Sequence, residues 1–510
     1  MSTVTADTSI PAPSLTLTTI SVCLAAGMQS MDTFIAGIAL PSMMGAFSAG
    51  HDEIAWVLTS FLIAVGVFTP LTGWLSRRVG RKRLLLIGIV GFCTASTMSG
   101  LSNTIEQIVP ARFLQGMFGA ALVPLAQQVL LDTYPRHRHG MAMAWFNVGM
   151  LVGLIVGPFL GGYITEYFSW RYVFFINIPT GIVAFTMISL FVSETRTAPR
   201  PFDFTGFFAL ATGLISLQLM LDRGERLDWF SSTEIIIEAG VAVAAFYIFV
   251  IHITTTRNPF VDPALFKNRN FAIGMVYIFV LAMLMFGFLG IFPAMLQKHL
   301  GYSIFASGIL MSPRGMTTFV ASILSGMLFA RLGPRPILFV ALIIMTFSLW
   351  HMSTYTLEVD YGTVLFTLCI QGVGFGMMST TVTASAYMTL TPELRPDGTS
   401  FLSLARRIGA SIGVSFLVSQ LLRYSQANRA ALNENVSLYN ETLVHLSLPD
   451  NWNLFNVEGL STFQRELTRQ AEFMAYLDDF RLLALIVLLI TPLVFFLKTG
   501  AEERAKPKTD

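Results

Sequence analysis

Gly73-Trp74-Leu75-Ser76-Arg77-Arg78-Val79-Gly80-Arg81-Lys82 reappears further along the chain as Gly326-Met327-Leu328-Phe329-Ala330-Arg331-Leu332-Gly333-Pro334-Arg335. The shared pattern is G-x-L-x-x-R-x-G-x-[KR]. In each copy it closes one long apolar stretch and opens the next. A second correspondence strengthens the first: Gln115-Gly116 and Gln371-Gly372 fall at nearly the same offset from the two copies. Chance readily supplies one short match, but hardly two at nearly one offset. The two regions read as related halves of a single chain.

Outward from these motifs the sequence is strongly apolar. Its 510 residues have a mean hydropathy of +0.65, with 54% hydrophobic and 12% charged side chains. A soluble domain averages about 25% charged residues, so most of this chain belongs in lipid. A spanning helix needs about 20 mostly apolar residues. Fourteen stretches qualify, near 16–40, 54–75, 84–102, 107–130, 141–165, 171–193, 204–222, 234–256, 270–296, 304–330, 335–356, 362–390, 398–422 and 478–499. The expected fold is an all-α integral membrane protein. The repeat makes spans 1–6 and 9–14 two six-helix bundles, over 16–193 and 270–499, with spans 7–8 an inserted pair over 204–256. Short tails at 1–15 and 500–510 flank them, and a loop at 423–477 interrupts the second bundle. Repeated halves around a central path are the common plan of secondary transporters.

Basic residues in short loops set the orientation of such a chain. Arg77, Arg78, Arg81, Lys82, Arg83, Arg136, Arg138, Arg196, Arg200, Arg257, Lys267, Arg269, Arg331, Arg335 and Arg395, with Lys498, Arg504, Lys506 and Lys508 of the tail, make 19 on one side. Arg171, Arg223, Arg226 and Lys298 make 4 on the other. Both termini are therefore expected in the cytoplasm and the loop at 423–477 outside. That loop is left out of the count, because long loops translocate largely regardless of charge.

Other classes are disfavoured. A net charge of +2 gives no reason to expect a nucleic-acid partner. Cys23, Cys93 and Cys369 all fall in apolar stretches, which leaves no disulfide framework and no paired-cysteine metal site. The polar first fifteen residues lack a basic n-region, so no cleavable signal peptide is expected. No G-x-x-x-x-G-K-[ST] phosphate loop appears. His445 and Asp450 make an H-x-x-x-x-D spacing in an outer loop with no companion motif, and chance explains it. No enzyme activity, metal or cofactor is expected.

Asp32 stands inside the first apolar stretch, in Met31-Asp32-Thr33-Phe34-Ile35-Ala36-Gly37-Ile38-Ala39-Leu40-Pro41. A carboxylate at membrane depth costs about 2.5–3.5 kcal/mol on insertion scales and usually marks an ion, proton or substrate path. Desolvation pulls such an acid toward its neutral form, and a nearby cation pulls it toward the charged one. A group held between those pulls can carry a proton through a cycle.

Together these residues resemble the major facilitator superfamily, in its fourteen-helix drug:proton antiporter branch (EmrB/QacA type). The resemblance spans nearly the whole chain. Gly73 to Arg83 is similar to the superfamily's loop signature between helices 2 and 3. Arg112-Phe113-Leu114-Gln115-Gly116-Met117-Phe118-Gly119 resembles the fourth-helix motif with its membrane arginine. Gly153-Leu154-Ile155-Val156-Gly157-Pro158-Phe159-Leu160-Gly161-Gly162 matches the fifth-helix antiporter motif, the most specific of the set. Met31 to Pro41 resembles the first-helix motif with its acid, here Asp32. Leu221 to Phe230 and Arg407 to Gly413 are also similar to that branch.

The resemblance implies proton-driven efflux of hydrophobic or amphipathic toxic compounds across a bacterial inner membrane by alternating access. The alternative is a dedicated exporter of a natural product such as a siderophore, fatty acid or peptide. It implies that Asp32 and Arg112 line the central cavity of the first half as a proton-coupling pair, against the plainer reading of a static ion pair. Gly73, Arg77, Arg78, Gly80, Arg81 and Lys82 would form a cytoplasmic gate motif, although positive-inside charge alone explains basic residues there. Gly153, Gly157, Pro158, Gly161 and Gly162 would form the antiporter motif. Its glycines, with Gly149, let a neighbouring backbone approach closely, and Pro158 would bend the helix. Two departures stand out. The family often has an acid where this chain has Arg77, which removes an expected ion-pair partner. The second half has Leu368 where Arg112 would repeat.

Further candidates for the cavity wall are Gln115, Gln127, Gln128 and Arg314. Met is flexible and suits promiscuous apolar surfaces, so Met283, Met285, Phe286 and Phe288 are candidates too, although packing must account for most such side chains. Arg406 and Arg407 are expected to snorkel to the interface. The implied partners are a small-molecule substrate, protons and the bilayer. Some members of the branch use a periplasmic adaptor protein and an outer-membrane channel, and the polar loop at 423–477 would be the docking surface.

Overall fold

The computed structural model describes residues 15–195, 201–434 and 457–498. Both tails, Arg196, Arg200 and the centre of the outer loop lie outside those residues. The chain divides into two compact units. One comprises residues up to Phe202 together with Arg395–Ser400; the other runs from Asp203 to Leu394 and from Phe401 onward.

In the first unit α1 spans Leu15–Phe47, α2 His51–Phe68, α3 Leu71–Val79, α4 Arg81–Leu101, α5 Ile105–Gly119, α6 Leu122–Thr133, α7 His139–Tyr167, α8 Tyr172–Phe175 and α9 Asn177–Phe191. In the second, α10 spans Phe204–Arg223, α11 Thr233–Thr255, α12 Ala264–Lys267, α13 Arg269–Lys298, α14 Ile304–Leu332, α15 Pro334–Met352, α16 Tyr361–Met388, α17 Arg395–Glu434 and α18 Val457–Ile490. The first residues of α17, Arg395–Ser400, belong to the first unit. Among the described residues twelve helical stretches are long and apolar enough to cross a membrane, and the bent pair α2–α3 makes up to 13. To these α7 adds an apolar helix of 29 residues.

Local chemistry sets many of the ends. Asp203, Asn268, Ser303 and Asp360 cap α10, α13, α14 and α16, their side chains accepting from the amides of Gly206, Phe271, Ala306 and Thr363. Pro70 has no N–H to donate, and α2 and α3 meet there at 60°. The second expected span is therefore two helices rather than one. The sixth likewise breaks at Ile176, with Pro179 in the first turn of α9.

The repeat is visible in the backbone. Gly80 joins α3 to α4 with φ +96° and ψ 152°; Gly333 joins α14 to α15 with φ +73° and ψ 179°. That region of φ/ψ space is essentially open to glycine alone, so both copies of the motif make the same turn. Gly116 and Gly372 also play one role. A Cβ on Gly116 would stand 2.4 Å from the Phe61 carbonyl oxygen of α2, and one on Gly372 would stand 2.4 Å from the Arg314 carbonyl oxygen of α14.

One boundary is corrected. The segment expected as an outer loop, 423–477, is helical at both flanks: α17 continues to Glu434, and α18 begins at Val457. These flanks are polar, so hydropathy does not reveal them. The inserted pair α10–α11 is tied to α17, where Trp229 donates to Ser419 Oγ at 2.9 Å and Ser415 donates to the Leu221 carbonyl at 2.9 Å.

Candidate functional site

Asp32 lies about halfway along α1, and Arg112 lies on α5. The structure brings them together: Arg112 Nη1 donates to Asp32 Oδ2 at 2.7 Å, and both side chains are 0% exposed. Two amides complete the carboxylate's shell. Gln115 Nε2 donates to Oδ1 at 2.9 Å, and Asn177 Nδ2 donates to the same oxygen at 2.7 Å. Arg112 has further supports: Nη1 donates to Gln115 Oε1 at 2.8 Å, and Nε donates to the Val57 carbonyl at 3.2 Å. Its guanidinium lies over the Phe61 ring, 4.3 Å from the centroid, with Phe174 at 5.5 Å. Ser96 of α4 receives a bond from Asn177 at 2.9 Å and donates to the Phe174 carbonyl at 2.8 Å. One charge pair thus binds α1, α2, α4, α5 and α9.

The pair is sealed inside the bundle rather than exposed at a cavity wall, which differs from the expected placement. Ile35, Val57, Ile108, Val173 and Phe174 form part of a buried apolar cluster beside it. In such an interior each charge interacts strongly with its partner, and either one alone would be costly. Asn177 and Ser96 belong to the site but carry no sequence signal comparable to a charge. Asn177 is a neutral amide in an apolar run, meeting Asp32 from 145 residues away.

The glycines of the fifth-helix motif form a seam with α1. A Cβ on Gly153 would stand 2.3 Å from the Gly27 carbonyl oxygen; one on Gly157 would stand 3.0 Å from that of Met31; one on Gly161 would meet Ile35 at 2.8 Å. Gly149 is equally close to Cys23. Gly162 is different: nothing lies within 4 Å of its Cβ position. Four glycines at a spacing of four share one face, and the residue after Gly161 points elsewhere. The helix continues through Pro158. The second unit repeats the seam between α13 and α17, where Cβ atoms on Gly409 and Gly413 would stand 2.3 and 2.5 Å from the carbonyl oxygens of Phe279 and Met283.

The loop motif is a charge cluster within the first unit. Arg77 donates to Asp397 Oδ2 at 2.7 Å, and both side chains are buried. Thus Arg77, which stands where the resemblance leads one to expect an acid, has an acid of its own at the start of α17. Gly73 makes room for it: a Cβ there would stand 2.8 Å from Asp397 Oδ1. Asp132, at the end of α6, pairs with Arg81 and, at 3.0 Å, with Arg395. Lys82 donates to the Ser189 carbonyl at 2.7 Å, and Glu194 accepts from the Lys82 and Arg83 amides. Arg78 sits over the Trp74 ring.

The remaining candidates divide. Gln127 and Gln128 are buried in α6. Met283 is 6% exposed and Phe288 1%. Met283 is held by the α13–α17 seam, and Phe288 stacks on Phe292 at 4.5 Å. Both are packing residues here, while Met285 and Phe286 are half-buried. Arg314 is half-buried, its guanidinium over Phe288 at 4.8 Å and Phe375 at 5.8 Å. Arg406 and Arg407 are half-buried and lie well inside α17 rather than at its end.

Comparison with known proteins bears on this geometry. A family model described as Major Facilitator Superfamily matches residues 22–414. The multidrug export protein EmrB of Escherichia coli K12 is 34% identical over 491 residues, 95% of each chain. The fatty acid resistance protein FarB of Neisseria gonorrhoeae is 30% identical over 486 residues, 94% of this chain and 95% of its own. Among solved structures, the human organic anion transporter MFSD10 superposes with a TM-score of 0.63 over 94% of this chain and 100% of its own, at 14% identity. At that identity the likeness speaks for the fold alone.

Proposed function

The chain belongs to the major facilitator superfamily, and we propose that it is a proton-driven antiporter exporting hydrophobic or amphipathic toxic compounds by alternating access. The observation that carries this reading is the sealed Asp32–Arg112 pair with its two amide donors. The names of the relatives, multidrug export and fatty acid resistance, support the substrate class.

The proposed mechanism follows from the bonding. Charged Asp32 accepts from Arg112, Gln115 and Asn177, and so draws α1, α5 and α9 together. A proton on the carboxylate removes the charge that Arg112 faces. Gln115 Oε1 and the Val57 carbonyl still accept from Arg112, so the cation keeps two polar partners while the carboxyl lets go. Because both groups are fully buried, a proton reaches Asp32 only when the packing of these helices opens. Proton access is thereby tied to conformation, which antiport requires.

In this reading the site lies in a bacterial inner membrane, with both termini in the cytoplasm as the loop charges indicate. The polar ends of α17 and α18 face outward and take a periplasmic adaptor protein, itself joined to an outer-membrane channel. A dedicated natural-product exporter is the second reading, and the fatty acid resistance relative favours a lipid-like compound within it.

The test is transport in proteoliposomes under an imposed pH gradient, with ethidium and a long-chain fatty acid as probes. Asp32→Asn is expected to insert normally and to abolish substrate-driven proton movement. Full coupled transport by that variant would refute the assignment. Resistance profiles of cells lacking and overproducing the protein then separate the broad exporter from the dedicated one.

A further inference from the structure

The second unit holds an acid that this mechanism does not use. Asp479, in α18, is fully buried, and neither carboxylate oxygen has a hydrogen-bond partner. Its neighbour Asp478 is engaged, accepting from Asn428 and from Arg481, each at 3.1 Å. Phe480 beside it packs against Phe288 and Phe292 at 6.1 and 6.2 Å between centroids. A buried carboxylate with no donor takes a proton rather than keep its charge.

A polar track leads to it. Tyr476 and Glu472 precede Asp479 by three and seven residues, which puts all three along one face of the helix. Glu472 is about 10 Å from Asp479 along the axis, at 1.5 Å per residue. Glu472 pairs with Lys298 at 2.6 Å and lies 3.5 Å from His299, whose ring stands edge-on to Tyr476 at 5.4 Å. Lys298, His299 and Glu472 line an open pocket of about 400 Å³, with Arg429, Arg465 and Arg469 on its other walls.

Several titratable groups on the helices around α18 are bonded elsewhere or border the pocket. On α13, Tyr277 donates to the Ile490 carbonyl and Lys298 pairs with Glu472. On α15, Arg335 donates to the Leu497 carbonyl, and His351 bonds Thr367. On α17, Arg429 borders the pocket. Among the described residues no cation is paired with Asp479.

We propose that Asp479 is a second proton-binding site, neutral in this conformation, fed from the pocket through Glu472 and Tyr476. A proton from water first binds the Glu472 carboxylate. Neither Asp479 oxygen has a hydrogen-bond partner in this conformation, so the next transfer requires the Tyr476 side chain to move into reach; its hydroxyl then accepts the proton while passing its own to Asp479, which becomes a neutral acid, and no other bond changes. That this proton takes part in a transport cycle rests on the proton-driven reading above. The existence of the site does not.

Infrared spectra of the purified protein in lipid nanodiscs test the site without a transport substrate. At neutral pH the wild type should show the carbonyl stretch of a neutral carboxylic acid. Asp479→Asn should lose that band, Asp479→Glu should shift it, and Asp32→Asn should keep it. Tyr476→Phe and Glu472→Gln should retain the band but slow its exchange in heavy water several-fold. A wild type without the band, or a band untouched in both Asp479 variants, overturns the site. Unchanged exchange in both track variants overturns the path. A wild type that shows the band yet moves no protons with substrate leaves the site standing and refutes the export reading alone.

Discussion

At the scale of single residues, the Asp32–Arg112 pair is where stability and coupling meet. Breaking a buried ion pair from one side leaves the other charge stranded, at a cost of about 3–5 kcal/mol. Arg112→Met is therefore expected to lower the midpoint of thermal unfolding in detergent sharply. Adding Asp32→Leu should restore much of that midpoint while coupled transport stays absent. Asn177→Ala removes one of three donors to Asp32 and should cost about 1–3 kcal/mol, the range for an unsatisfied buried group, with coupling weakened rather than abolished. The charged pair is legible in the sequence because an acid and an arginine in apolar runs violate their surroundings. Asn177 is not, since an amide before Ile178-Pro179 looks like many others and its contact depends on how α9 folds back on α1. Nor does composition reveal that the pair is sealed; that follows from the packing of Ile35, Val57 and Phe174 around it.

At the scale of elements, the glycine seams set how closely helices cross. Gly153→Leu places a side chain where the Gly27 carbonyl already stands. It is expected to separate α7 from α1 and to eliminate transport in vesicles at normal or reduced yield. Gly162→Ala meets nothing and should stay within about 0.5 kcal/mol of wild type, as surface changes away from special features do. Chemical unfolding and vesicle transport of the two variants check the contrast. The spacing of four that makes the seam is plain in the sequence; which of Gly161 and Gly162 continues it depends on helix phase, which the pattern alone did not settle. Pro70 stands inside the stretch read as one span, 54–75, and the bend it makes divides that span. The polar ends of α17 and α18 were illegible for the opposite reason. A helix beyond the bilayer has no apolar run to mark it.

At the scale of the whole molecule, α17 is shared: its first six residues, Arg395–Ser400, belong to one unit and the remainder to the other. Asp397 and Arg395 at that start are held by Arg77 and Asp132. Asp397→Asn leaves Arg77 without its acid in a buried setting, so vesicle transport should fall markedly while the protein still inserts; unaltered transport would show that this contact is incidental. The repeat, visible first as two glycine-bounded motifs, specified the paired turns at Gly80 and Gly333 and the matching crossings at Gly116 and Gly372. What it left unspecified was the grouping of α10–α11 with the second unit, because an inserted pair has no counterpart to compare with. Removing residues 435–456 should spare vesicle transport and abolish resistance in whole cells if an adaptor docks there. The 40 residues of α17 amount to about 60 Å of helix, roughly twice the hydrocarbon thickness of a bilayer. A stem of that reach offers pharmacology a handle. An antibody fragment or cyclic peptide that grips it would act without dissolving in lipid, and so would not itself become cargo for the pump it disables.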